Sequence, residues 1–148
     1  MSGHALSGRH VVITRPPGQA DKLQALIAAE GGEAVLFPLI AIAPLQDYSR
    51  FDAVIAELPH YDWIFFISSN AVQYGMPLLR KRGALPPDLK FAAIGPVTAA
   101  ELANFGVTEV LMPHERFDSE ALLALPEMQE MAGKRCMIVR GVGGRELL

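Results

Sequence analysis

Three times along this chain a short apolar run ends abruptly in small or polar residues able to begin a helix, and that junction constrains the fold more than any other feature. The first is Trp63-Ile64-Phe65-Phe66-Ile67 followed by Ser68-Ser69-Asn70-Ala71-Val72, and the second is Phe91-Ala92-Ala93-Ile94 followed by Gly95-Pro96-Val97-Thr98-Ala99. The third, Cys136-Met137-Ile138-Val139-Arg140 into Gly141-Val142-Gly143-Gly144-Arg145, comes just before Leu148, so the sequence reads as cut rather than finished. Strands that feed directly into helix starts predict an α/β protein with a mostly parallel sheet. Each junction also gathers hydroxyls and backbone N–H groups without helical partners at one rim, where anionic ligands are commonly held.

The other segments fit the same alternation. Val11-Val12-Ile13 reads as a buried strand ending at Thr14-Arg15, and Pro16-Pro17-Gly18 turns the chain into a helix from about Gln19 to Ala29. Ala20, Leu23, Leu26 and Ile27 supply that helix with a core stripe. Gly31-Gly32 stops it, and Ala34-Val35-Leu36-Phe37 forms the next strand before Pro38. The extended apolar stretch from Leu39 to Asp47 is expected to cross between two structural units, with a sheet-edge strand as the alternative. A helix or loop follows from Phe51 to Leu58, and a helix from Asn70 to about Arg82 should be kinked or broken by Gly75 and Pro77. Val110 to Met112 is expected to be a strand. Asp118 or Ser119 caps a later helix whose apolar face is Leu122, Leu125, Met128 and Met131, read as core. Gly31 to Pro38 repeats in length and pattern as Gly106 to Pro113; duplication of an αβ unit and the ordinary punctuation of parallel α/β chains both account for this.

Composition narrows the function classes. At 148 residues, 51% apolar and 20% charged, the chain matches one ordinary globular domain. No apolar run approaches the roughly 18 to 20 residues that span a bilayer, and Met1 to Ser7 lacks the features of a signal peptide, so a cytoplasmic protein without membrane contact is expected. A net charge of −3 disfavours nucleic acid. The one dense basic cluster, Arg80-Lys81-Arg82, is expected to sit solvated at a helix end. Cys136 is the single cysteine and is expected to be buried and inert, and the scattered His4, His10, His60 and His114 suggest no metal site. Gly141-Val-Gly-Gly-Arg145 lacks the third glycine of a dinucleotide loop, and no Walker loop, nucleophile elbow or zinc motif is present. No cofactor is expected.

The candidate site is therefore the set of strand-end groups: Thr14, Arg15, Ser68, Ser69, Asn70, Thr98, Arg140 and Arg145. Ligands of open parallel sheets settle at the carboxyl ends of the strands, where all of these should lie. Ser69, Asn70 and Thr98 would equally serve as plain helix caps. A non-catalytic α/β domain that binds an anion or another small molecule is the main rival to an enzyme, and a nucleotide-dependent enzyme built around the Gly141 loop is the second.

Five pieces in order carry a resemblance: Val12-Ile13-Thr14-Arg15-Pro16, Phe66-Ile67-Ser68-Ser69-Asn70-Ala71-Val72, Ala93-Ile94-Gly95-Pro96-Val97-Thr98-Ala99, Phe117-Asp118-Ser119-Glu120 and Ile138-Val139-Arg140-Gly141-Val142-Gly143-Gly144-Arg145. In these the chain resembles the N-terminal part of the uroporphyrinogen-III synthase family. The resemblance implies two flavodoxin-like parallel-sheet domains, with residues 1–39 as the opening βαβ segment of a discontinuous first domain and residues 40–148 as most of the second. It implies a hydro-lyase of porphyrin and haem biosynthesis that closes the linear tetrapyrrole hydroxymethylbilane into uroporphyrinogen III, inverting the last pyrrole ring and losing water without a cofactor. Ser68 and Thr98 would be the catalytic groups. Ser69, Asn70, Ala71, Gly95, Arg140 and Gly141 would bind substrate, with Thr14 and Arg15 facing them from domain one. The family's tyrosine on a later strand falls beyond Leu148, so this chain alone is expected to turn over little, and the complete protein is expected to be a monomer.

Overall fold

A computed structural model describes residues 4–143 and 148 of the chain. Its contacts divide the chain into two units, Met1–Leu45 and Gln46–Leu148. In the first unit, strand β1 (His10–Ile13), helix α1 (Asp21–Ala29) and strand β2 (Glu33–Leu36) make a parallel βαβ unit. Ile13, Ala20 and Ile27 are buried together, with Leu6, Val11, Leu23 and Ala34 packed against them. The other face of the strand pair is open, because the register partners Val12 and Val35 are 58% and 40% exposed. Leu26, expected in the core stripe, is exposed as well: α1 has only two strands beneath it, so its buried stripe narrows to Ala20 and Ile27.

The second unit is a four-stranded parallel sheet in the order β5-β4-β3-β6, with β3 at Trp63–Phe66, β4 at Lys90–Ala93, β5 at Val110–Leu111 and β6 at Cys136–Val139. Helices α2 (Ser49–Ala56), α3 (Ser69–Lys81), α4 (Pro96–Asn104) and α5 (Ser119–Leu123) complete it. All four residues of β3 are buried, as a central parallel strand requires. Alternation sends Ile64 and Phe66 to one face, against Val72, Met76 and Leu79 of α3 and Leu102 of α4. Trp63 and Phe65 go to the other, against Leu122 and Met128. Helical cover on both faces makes this a doubly wound α/β layer.

Several expectations change here. Helix α3 runs unbroken through Gly75 and Pro77. Pro77 deletes one N–H, but it and Gln73, whose carbonyl loses that partner, are both exposed residues, so the loss falls on the solvent side of the helix and not in the core. Gly75 is needed for packing, since a Cβ there would lie 2.8 Å from Val139 Cγ1. The Leu122-to-Met131 stripe is core as expected, but α5 stops at Leu123 and a 3-10 turn over Pro126–Glu130 carries Met128. The basic cluster at the end of α3 is engaged: Arg80 donates to the Phe105 carbonyl and lies over its ring, and Arg82 pairs with Asp52. Cys136 is exposed, not buried, because β6 lies at the sheet edge and Cys136 faces the side that α5 covers only in part.

The repeated segments share their geometry. Gly31 N–H bonds to Ala28 O at 2.9 Å and Gly32 N–H to Ile27 O at 2.9 Å; Gly106 N–H bonds to Ala103 O at 2.8 Å and Val107 N–H to Leu102 O at 3.1 Å. Both are Schellman ends, with the glycine at φ 75° and 77°, respectively. One offset maps Gly31 onto Gly106, Ile27 onto Leu102, and the whole of α1 onto α4, and each helix returns to a strand paired parallel with the one before it.

Candidate functional site

The sheet's register builds a level rim. Phe66 pairs with Ala93 on one side and Val139 on the other, so the next residues, Ile67, Ile94 and Arg140, stand side by side. Ile94 N–H continues the ladder to Phe66 O at 3.1 Å. Ser68, Gly95 and Gly141 follow. The chain steps from β3 to β4 to β5 in one direction and then sets β6 on the opposite side of β3. A reversal of this kind opens a crevice at the carboxyl ends of the two strands flanking it.

A cavity of about 540 Å3 lies there, lined by Ile67, Ile94 and Ile138, by Phe117, by the polar Asp118, Ser119 and Arg140, and by Leu148. Asp118 caps α5, accepting the Ala121 N–H at 2.8 Å, and Arg116 Nε donates to it at 3.1 Å. Its negative charge is thus balanced locally, and Arg140 adds an exposed cation to the lining. A second cavity of about 300 Å3, at Asp52, Leu79 and Arg82, adjoins the opposite end of α3 from its capped start.

Of the residues picked out from sequence, Ser68, Ser69, Asn70, Ala71, Gly95, Arg140 and Gly141 come together along this rim, at the ends of three adjacent strands. Ser68, rather than Ser69 or Asn70, caps α3: its Oγ accepts the Ala71 N–H at 3.0 Å. The Ala71 N–H is thereby occupied, but the Ser68 O–H retains its own proton to donate. Ser69 and Asn70 are half-buried in the first turn. Thr98 is not a cap; it sits one turn inside α4 on the buried stripe with Leu102, 3% exposed. Thr14 and Arg15 follow β1 in the other unit and are exposed, with the Thr14 carbonyl accepting the Leu39 N–H at 3.3 Å. Arg145 lies outside the described residues. Sequence reasoning did not select Phe117 and Ile138 as site residues, and it read Asp118 and Ser119 only as helix caps. The segment Phe117-Asp118-Ser119-Glu120 stood out by resemblance, but only the fold shows that it reaches the rim.

Among the described residues, no helix is long and apolar enough to cross a membrane, and no group of three or more His, Cys, Asp or Glu is placed to hold a metal ion. The fold and site define a parallel, doubly wound α/β protein with its polar groups at the strand-end switch point. The sequence profile of the family described as Uroporphyrinogen-III synthase HemD matches residues 21–148. The chain is 37% identical over 139 residues to the uroporphyrinogen-III synthase of Escherichia coli strain K12, covering 93% of this chain and 56% of that protein. It is 37% identical to the synthase of Salmonella typhimurium, with the same coverage, and 34% identical to that of Proteus mirabilis, of which it covers 70%. The chain belongs to the uroporphyrinogen-III synthase family, and it spans a little over half the length of the first two relatives, 56% of each.

Proposed function

We propose that this chain serves a uroporphyrinogen-III synthase reaction: cyclisation of hydroxymethylbilane, with inversion of the last pyrrole ring and loss of water, as a cofactor-free monomer in the cytoplasm. The observation that carries the reading is the level rim of Ser68, Gly95 and Gly141, with Arg140 one residue before it, at the sheet's switch point in a chain of this family. In this proposal residues 1–39 open one domain and residues 40–148 form most of the next, the helix- and strand-free stretch after Leu39 making the passage. Each pyrrole ring bears acetate and propionate groups. Helix starts offer them backbone N–H donors, each contributing on the order of 0.3 to 1 kcal/mol. Ser69, Asn70, Gly95, Arg140 and Gly141 hold carboxylates in this reading, and Thr14 and Arg15 bind substrate from the opening unit.

The chemistry is chiefly conformational. Left alone the bilane closes without inversion, so the protein's task is to hold the last ring turned while the hydroxyl departs. The Ser68 O–H is a donor for that oxygen or for a carboxylate beside it, and Thr98 acts from beneath the same rim. The test is the ratio of type III to type I product made by this chain fused to the part of the Escherichia coli synthase that it does not cover. Ser68→Ala and Thr98→Val are each expected to lower turnover by about tenfold to a hundredfold. The unfolding midpoint should move little in Ser68→Ala, where a lost cap costs about 1 kcal/mol, and in Thr98→Val, which keeps the branched shape of the buried side chain. Unchanged rate and isomer ratio in both variants would reduce these residues to structural roles, and type I product from the parent fusion would overturn the function itself.

A further inference from the structure

Resting on the function proposed above, we infer that Phe117 is the surface on which one pyrrole ring of the substrate stacks, and that Gly95 holds it in place. A Cβ on residue 95 would lie 2.9 Å from Phe117 Cβ and 3.0 Å from its Cγ, so Phe117 is seated directly on the Gly95 backbone. The φ of Gly95 is 178°, extended backbone open to any residue. What demands glycine is therefore the neighbouring aromatic. Even so seated, Phe117 remains 52% exposed, and it lines the strand-end cavity. A ring held by backbone on one side and left open to a cavity on the other is neither core filling nor a loose surface residue.

The surroundings specify the ligand class. Ile67, Ile94 and Ile138 supply apolar lining, and Arg140 supplies a cation, while Asp118 is tied to Arg116 and to the Ala121 N–H. A flat, electron-rich ring with carboxylates at its edge matches that arrangement: its face meets Phe117, and a carboxylate meets Arg140. At about 540 Å3 the cavity falls within the range of sites for single small organic ligands, roughly 300 to 1,000 Å3, which suits one end of a four-ring chain rather than all of it. Offset or edge-on aromatic contact then fixes the plane of that ring, and fixing a ring plane is what the inversion requires.

The probe is a monopyrrole carrying one acetate and one propionate, titrated into the 148-residue chain and followed by NMR. Saturable binding is expected to shift the probe's ring proton upfield, because it lies over an aromatic ring. Phe117→Leu, which keeps apolar bulk, should abolish that shift and weaken binding about two- to tenfold. Gly95→Ala should do the same with the ring still present but displaced, and Phe117→Tyr should preserve both effects. No saturable binding, binding without the shift, or a Phe117→Leu variant equal to the parent would each overturn the inference. The isomer ratio is measured independently, so a type I product alongside a stacked probe would remove the proposed function and leave the Phe117 site standing.

Discussion

Cys136, the chain's single thiol, stands level with Trp63 at the start of the β3–β6 pair. It is exposed, but partial burial and the nearby Asp62 carboxylate push its pKa above the ordinary thiol range. Asp62 stays anionic beside it: the backbone N–H of Arg135, donating at 2.9 Å, holds that carboxyl below its usual value. Only the thiolate attacks, so a maleimide should label the folded protein fully but more slowly than a small free thiol at neutral pH, and the rate should climb with pH. Complete resistance of the folded protein would contradict the exposed placement. Alternation in Cys-Met-Ile-Val shows that β6 has two faces, but not that the Cys136 face is left uncovered; that depends on where α5 stops. The Asp118 cap was legible for the converse reason, since an N-cap is decided by residues adjacent in sequence, although at α3 the cap fell to Ser68 and not to Ser69 or Asn70.

At the scale of elements, the approach of α3 to β6 is set by one missing side chain. Gly75→Ala gains about 1 kcal/mol of helix propensity, but its methyl would meet Val139 Cγ1 at 2.8 Å and Phe66 Cε1 at 3.4 Å. Both neighbours are buried and Val139 is β-branched, so the overpacking cost, typically about 1 to 3 kcal/mol, should prevail. A lowered thermal midpoint is the expected result, and a raised one would mean that β6 yields. Pro77 led the sequence argument to a kink or a break, and the break does not occur; a single chain does not reveal that Pro77 and Gln73 both lie on the exposed side of α3. Strands, by contrast, were readable almost to the residue: each is a short apolar run closed by a polar or glycine-containing turn. The repeat was visible as a pattern, and the paired Schellman ends give it a physical basis, with Ile27 and Leu102 the buried residues that each motif's final carbonyl belongs to.

For the whole molecule, the two units differ in how well they are covered. Among its described residues the first buries only Ile13, Ala20 and Ile27 fully, and leaves Val12, Leu36, Phe37, Leu39 and Ile40 more than half exposed. A core this small supports little independent stability. Hydrogen exchange should therefore release the amides of β1 and β2 well before those of β3 and β4; equal protection would show the opening unit to be stabilised by contacts beyond its own core. The rim was legible because strand-to-helix junctions are local, whereas the partnership of Phe117 with Gly95 joins residues that only the finished sheet brings together. The register that sets Trp63 beside Cys136 also equips the protein with an optical gauge. Each is unique in the chain, and neighbouring strands lie about 4.8 Å apart, so a quencher attached to the thiol would darken the indole only while the edge strand stays zipped to the sheet.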